Sequence, residues 1–183
     1  MTYPITIAGL HRDLPLCPLN DNLMIAGFVI FGDVELTCAC AKALLEKAPT
    51  YDYLMAPEAK AIPLLHEMAR QSGQNEYFIV RKKKKAYMQN VFQVVDNSIT
   101  TEGEQMLYLD GSDAAKLRGK RILLVDDVIS TGGSIAAVEN LVLQAGGIVA
   151  GRMAILAEGD ARSRDDIIVL GNLPLFDGEG NPL

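Results

Sequence analysis

Hydrophobic positions in this chain fall into short strand-like runs separated by segments of helical period. Tyr3 to Ala8 alternates apolar and polar residues and is punctuated by Gly9, and Leu14 to Leu19 is an apolar run broken by Pro15 and Pro18. This pattern predicts a pair of irregular edge strands. Leu23 to Phe31 is a longer β-prone stretch closed by Gly32, after which Asp33 is placed to cap a helix running to about Glu46. Val34, Cys38, Ala41 and Leu45 recur at helical spacing and predict its packed face. Strand, turn and helix follow at Tyr51 to Ala56, Pro57 to Ala61 and onward to about Ser72, and Glu76 to Val80 reads as the next strand. Ile122 to Val125 is an unbroken apolar run suited to a strand buried on both faces. A helix over about Ser134 to Gln144, a strand over Ile148 to Ala157 and short strands at Ile167 to Leu170 and Leu173 to Phe176 complete the pattern. This alternation predicts an α/β fold: an open, mainly parallel sheet flanked by helices, with the Ile122 strand near its middle.

Ala86 to Leu109 breaks the rhythm. It is long for a crossover loop and lacks a helical period, yet Val91 to Val95 and Gln105 to Leu109 are strand-like. The expectation is a flexible β-hairpin flap over about residues 83–109, with Ser98, Thr100, Thr101, Glu102 and Gly103 at or near its tip. The 183 residues suffice for one filled core, so a single domain is expected.

Composition narrows the function. A net charge of −6 opposes binding to a polyanion, and the absence of Trp removes the best stacking surface for single strands, so no nucleic-acid partner is expected. No apolar stretch has the length or flanks of a signal peptide or membrane span, so neither secretion nor a membrane is expected. Cys17, Cys38 and Cys40 lack metal-knuckle spacing and read as small hydrophobes in a reducing cytoplasm.

The chemistry concentrates after Val125. Asp126 and Asp127 are neighbouring carboxylates that repel and desolvate badly, so they are expected at the open carboxyl end of the strand, facing a cation or sugar hydroxyls. Ser130, Thr131, Gly132, Gly133 and Ser134 then form a loop of small residues whose N–H groups can converge on an anion at a helix N-terminus. A Walker A loop is excluded because no Lys follows the glycines.

The run from Arg121 to Ser134 resembles the signature of the type I phosphoribosyltransferases, which bind 5-phosphoribosyl diphosphate (PRPP). Over its length the chain is similar to bacterial proteins of the adenine-phosphoribosyltransferase-like group, through Ile7 to Pro15, Pro57 to Lys60 and Leu170 to Phe176. The resemblance implies that Asp126 and Asp127 engage the ribose hydroxyls directly or through Mg2+ and its water, and that residues Val128, Ile129 and Ser130 to Ser134 hold the 5-phosphate. It assigns the diphosphate to Glu58, Ala59 and Lys60, where Lys60 and Ala61 replace the usual Arg and Gly, and to Arg81, Lys82 and Lys85. Tyr87, Glu102 and Glu104 are lid or general-base candidates. It also implies a small hood from about residues 1–22 and 158–177, with Ala8 to Asp13 near the base, and a homodimer. The implied reaction is purine salvage in the cytoplasm: transfer of the phosphoribosyl group from PRPP to a purine, adenine ahead of hypoxanthine, guanine and xanthine. A PRPP-binding regulator without transferase activity is the alternative.

Overall fold

The computed structural model describes residues 1–96 and 105–183. In chain order it contains β1 (Thr2–Ile7), β2 (Leu10–Asn20), β3 (Leu23–Ala26), α1 (Val34–Leu45), β4 (Tyr53–Pro57), α2 (Ile62–Gln71) and β5 (Phe78–Val80). Then follow β6 (Phe92–Asp96), β7 (Gln105–Leu109), α3 (Gly111–Leu117), β8 (Arg121–Ile129), α4 (Gly133–Gln144), β9 (Ile148–Glu158), a 3-10 turn (Gly159–Ser163), β10 (Ile168–Leu173) and β11 (Phe176–Asp177).

Five of these strands form a sheet in the order β10-β9-β8-β4-β5, every pairing parallel, with β8 at the centre as expected. Side chains of β8 alternate between two cores. From Ile122 to Val125 the alternation is strict: Leu123 and Val125 pack with α1 and α2 residues such as Leu44 and Leu64, whereas Ile122 and Leu124 pack with α3, α4 and β7 residues such as Leu117, Leu141 and Leu107. Period-two alternation with both faces apolar is what a doubly covered strand requires.

β1, β2, β3 and β11 form a separate four-stranded antiparallel sheet. β2 is an inner strand here, contrary to the expectation of two edge strands. Its prolines are tolerated because Leu10 to Pro15 pairs with β1 and Leu16 to Asn20 pairs with β3, so each half keeps one open side where a missing N–H costs nothing. Of residues 158–177, assigned above to the hood, Phe176 and Asp177 pair with β3, while Ile168 to Leu173 runs unbroken beside β9 in the central sheet.

Two further expectations are corrected. β3 stops at Ala26; Gly27 still donates its N–H to Pro15 O at 2.7 Å, and a Cβ there would be tight against Cys17 Sγ, at 3.3 Å. The buried face of α1 is Leu36, Cys40, Ala41 and Leu44, and Val34 is 73% exposed. The helix phase is set by its cap: Asp33 Oδ1 accepts from Leu36 N at 3.0 Å while the same carboxylate holds Arg12 on β2. Helix α3 escaped the pattern because seven residues carry too few apolar positions to show a period. The strands β6 and β7 pair antiparallel as a hairpin, and Ser98, Thr100, Thr101, Glu102, Gly103 and Glu104 lie outside the described residues.

Asp33→Ala removes the cap and two of the hydrogen bonds that hold the Arg12 guanidinium. Urea denaturation is expected to show a loss of about 1–2 kcal/mol, and an unchanged midpoint would show that the cap does not anchor α1.

Candidate functional site

A cavity of about 450 Å³ opens at the carboxyl ends of β4, β8 and β9. Its walls are the turn from Pro57 to Lys60, Lys82, the run from Asp126 to Ile135, Glu158, Leu173 and the segment from Ile25 to Val29. Ligands of open parallel sheets bind at this end because strand-terminal loops converge there.

The acids do not stand beyond the strand end. β8 runs through both of them to Ile129, paired with β9 as far as Ala157. Open space arises on the other side, because the pairing of β8 with β4 ends at Leu124 opposite Met55. The adjacent carboxylates therefore sit within a strand, one flank covered and one flank facing the cavity. Asp126 is half-buried and accepts the Asp127 N–H at 2.9 Å, and Asp127 is 2% exposed. Burial first, and then the charge of Asp127, push the Asp126 carboxyl well above the usual carboxylate range. Asp127 Oδ2 has no hydrogen-bond partner among the described residues. Lys60 Nζ lies 3.0 Å from it, an ion pair outside hydrogen-bonding alignment.

The anion loop follows. Gly132 takes a left-handed conformation (φ 81°, ψ 7°) as the residue before α4, and no side chain caps that helix. The N–H groups of the first turn of α4 are thereby left for a ligand. The Ser134 hydroxyl donates to Asp96 Oδ2 at 3.0 Å, joining the end of β6 to this loop. Ser130 is half-buried, Thr131 is exposed, and both line the cavity together with Val128 and Ile129.

Of the basic candidates, Lys60 and Lys82 reach the cavity walls, while Arg81, Lys85 and Tyr87 are not among its lining residues. Arg81 is used internally. Its Nε donates to Glu58 Oε2 at 3.1 Å and its Nη1 to the Tyr87 hydroxyl at 2.9 Å, and Lys82 N also donates to Glu58 Oε2, at 3.0 Å. Burial opposes ionisation of Glu58, but the Lys82 N–H and the Arg81 guanidinium together hold it below its usual value. Glu58 thus ties the turn after β4, which contains the cis Glu58–Ala59 peptide, to the turn after β5. The Glu58 carboxylate is engaged within the protein, and Glu58, Ala59 and Lys60 all line the cavity side of the turn. Glu102 and Glu104 lie outside the described residues.

Ala8 to Asp13, expected near the base, do not line the cavity. Ala8 and Gly9 make the tight turn between β1 and β2, and Arg12 is bonded to Asp33 and Glu35. The segment from Ile25 to Val29 takes that place instead, and its early departure from β3 left no periodic signal. Glu158 was also missed. It is half-buried, makes no hydrogen bond among the described residues, and stands in register with Leu173, which packs with Met24, Phe28 and Phe176. Burial pushes its carboxyl up, partly countered by Lys60.

Among the described residues no cluster of three or more His, Cys, Asp or Glu is arranged to enclose a metal. Two adjacent carboxylates with an orphaned buried oxygen fit instead a hard cation such as Mg2+, which keeps several waters and takes substrate oxygens.

A model of the phosphoribosyl transferase domain matches residues 39–171. The hypoxanthine/guanine phosphoribosyltransferase of Methanocella paludicola is 27% identical over 161 residues, covering 88% of this chain and 77% of that protein. The adenine phosphoribosyltransferase of Ureaplasma parvum is 46% identical over 48 residues, which are 26% of this chain and 28% of that protein. Matches to other relatives cover between 49% and 56% of those proteins. The crystal structure of adenine phosphoribosyltransferase from Thermoanaerobacter pseudethanolicus superposes with a TM-score of 0.71 at 23% identity, over 87% of this chain and 95% of that one, showing a shared fold.

Because the Asp126 carboxyl is raised, its ionisation costs stability. Well below the ordinary aspartate value of 3.8 the proton is retained in folded and unfolded chains alike, and the cost grows as pH climbs from there toward the raised value. Asp126→Asn is therefore expected to melt within about 1 °C of wild type near pH 3 but at least about 2 °C higher near pH 8. A difference independent of pH would remove the electrostatic account.

Proposed function

The chain belongs to the phosphoribosyltransferase family, and from that premise we propose that it transfers the 5-phosphoribosyl group of PRPP to a purine, adenine before the 6-oxopurines, releasing diphosphate. By that membership it is a pentosyltransferase. The observation that carries the reading is the joining, in one cavity, of the carboxylate pair, the uncapped start of α4 and the Lys60 turn. Those three features match the three polar parts of PRPP: ribose hydroxyls, 5-phosphate and diphosphate.

The residues would act by holding and by balancing charge. First-turn N–H groups of α4 with Ser130 and Thr131 hold the 5-phosphate; Asp126 and Asp127 take the hydroxyls; Lys60 and Lys82 face the departing diphosphate. Mg2+, held by Asp126 and Asp127 through water, would supply positive charge to the diphosphate oxygens. Fixing the reacting carbon against a ring nitrogen supplies much of the acceleration, and fixed cations stabilise the leaving group.

Adenine is supported by Glu158 and by the short, strong match to an adenine enzyme. The six-position edge of adenine offers an amino donor beside a ring-nitrogen acceptor. A carboxyl that burial holds toward its neutral form presents the complementary acceptor and donor. The longer match to hypoxanthine/guanine enzymes favours 6-oxopurines as the second reading. A homodimer acting in the cytoplasm completes the proposal; among the described residues no helix is long and apolar enough to cross a membrane.

The test incubates the protein with PRPP, Mg2+ and, separately, adenine, hypoxanthine, guanine and xanthine, and measures nucleotide formed. Adenine is expected to turn over fastest, and no nucleotide from any purine would overturn the proposal. The double variant Asp126→Asn, Asp127→Asn is expected to lose at least about 100-fold in kcat while keeping its fold by circular dichroism. Undiminished turnover in that variant would remove the carboxylate pair from the mechanism.

A further inference from the structure

Arg164 lies after the 3-10 turn and was not among the site residues expected from the sequence, yet its guanidinium is packed directly behind the anion loop. A Cβ built on Gly132 would collide with Arg164 Nη1. The other two guanidinium nitrogens are occupied: Nε and Nη2 donate to the two oxygens of Asp166 at 2.8 and 2.7 Å. Nη1 donates to nothing among the described residues. Asp166 lies 3.9 Å from Arg152 Nη1, and Arg152 is itself bonded through two nitrogens to Glu139 on α4, at 2.8 and 2.6 Å. The series Glu139, Arg152, Asp166, Arg164 alternates in sign, and its cationic end is the one placed against Gly132.

We infer that Arg164 is a positioning residue for the 5-phosphate, acting through the loop at Gly132 as a fixed positive charge behind the α4 N-terminus. The inference rests on the 5-phosphate assignment above. Arg164 does not line the cavity and touches no ligand there. Its contribution is a field, added to that of the helix dipole, at a place where only a glycine lets the guanidinium approach so closely. Asp166 weakens that field by its opposite charge, which gives the idea a sign that simple bracing does not share.

The experiment measures binding of ribose 5-phosphate by calorimetry, and KM for PRPP against kcat, in wild type, Arg164→Gln, Arg164→Lys and Asp166→Asn. Arg164→Gln is expected to weaken ribose 5-phosphate and raise KM for PRPP about three- to tenfold, with kcat and the KM for purine within about twofold. Arg164→Lys, which keeps the charge, should recover most of the loss. The gap between wild type and Arg164→Gln should shrink in high salt. Asp166→Asn should bind at least as tightly as wild type. Equal binding by wild type and Arg164→Gln would overturn the inference, as would weakening of the same size in Asp166→Asn or no recovery in Arg164→Lys, outcomes that assign a purely packing role. Failure of wild type to bind ribose 5-phosphate would instead overturn the 5-phosphate assignment, and this inference with it.

Discussion

Two carboxylates at consecutive positions of the central strand are the constraint around which this fold is arranged. Nothing in a closed parallel sheet could satisfy them, and β8 carries them only because β4 stops pairing with it at Leu124, one residue short of Val125. The free protein resolves the repulsion in two ways at once. Asp126 is pushed toward its neutral form, and Lys60 is drawn across the gap to Asp127. Both are substitutes for what a sugar diphosphate with its cation would provide. A site that is electrostatically unfinished without its ligand binds that ligand by relieving a cost already present in the fold.

The surrounding loops are fixed by contacts that do not themselves face the ligand. Glu58 receives Arg81 and the Lys82 N–H, so the turns after β4 and β5 are tied together. Arg81 also exchanges backbone hydrogen bonds with Tyr108 of β7, which carries the same connection into the base of the hairpin. From the other strand of that hairpin Asp96 holds Ser134, at the start of α4. The cavity is thus built on strand ends whose cores lie on both faces of the sheet, with polar ties between the loops. Catalysis by positioning needs such rigidity, because a shift of about 1 Å in a reacting group can cost orders of magnitude in rate.

Much of this was legible in the chain because strong local signals agreed with the tertiary result. The apolar run before Asp126, the glycine pair after Thr131 and the capping Asp33 each have one structural use, and each has it here. The failures share a different cause. Val34 occupies a helical position as apolar as any, yet the phase of α1 was decided by Arg12, 21 residues earlier in sequence, holding the cap. β2 reads as an edge because of its prolines, and becomes an inner strand by changing partner midway. The acids looked like a strand terminus, since what stops beside them is a neighbouring strand and not their own. Arg81, expected to face the diphosphate, is bonded to Glu58 here, a pairing that no local signal announced.

The same distinction explains why the phosphate end of the site is so readable and the base end so little. An anion held by glycine-rich backbone demands particular residues at particular spacings. A flat heterocycle demands a surface, and on the proposed reading that surface is the part of the cavity wall formed by Ile25 to Val29, Leu173 and Glu158, drawn from opposite ends of the chain. Backbone and apolar walls of this kind accept several purines with similar shape complementarity, so relatives sharing the phosphate machinery diverge in the base they take. Discrimination then falls to the few polar side chains present. Glu158, whose carboxyl is unpaired among the described residues and raised by burial, is the group in that wall whose protonation state changes what edge it can recognise. On the proposed reading, selectivity rests on one titratable contact superimposed on a permissive surface, while PRPP binding is distributed over many contacts.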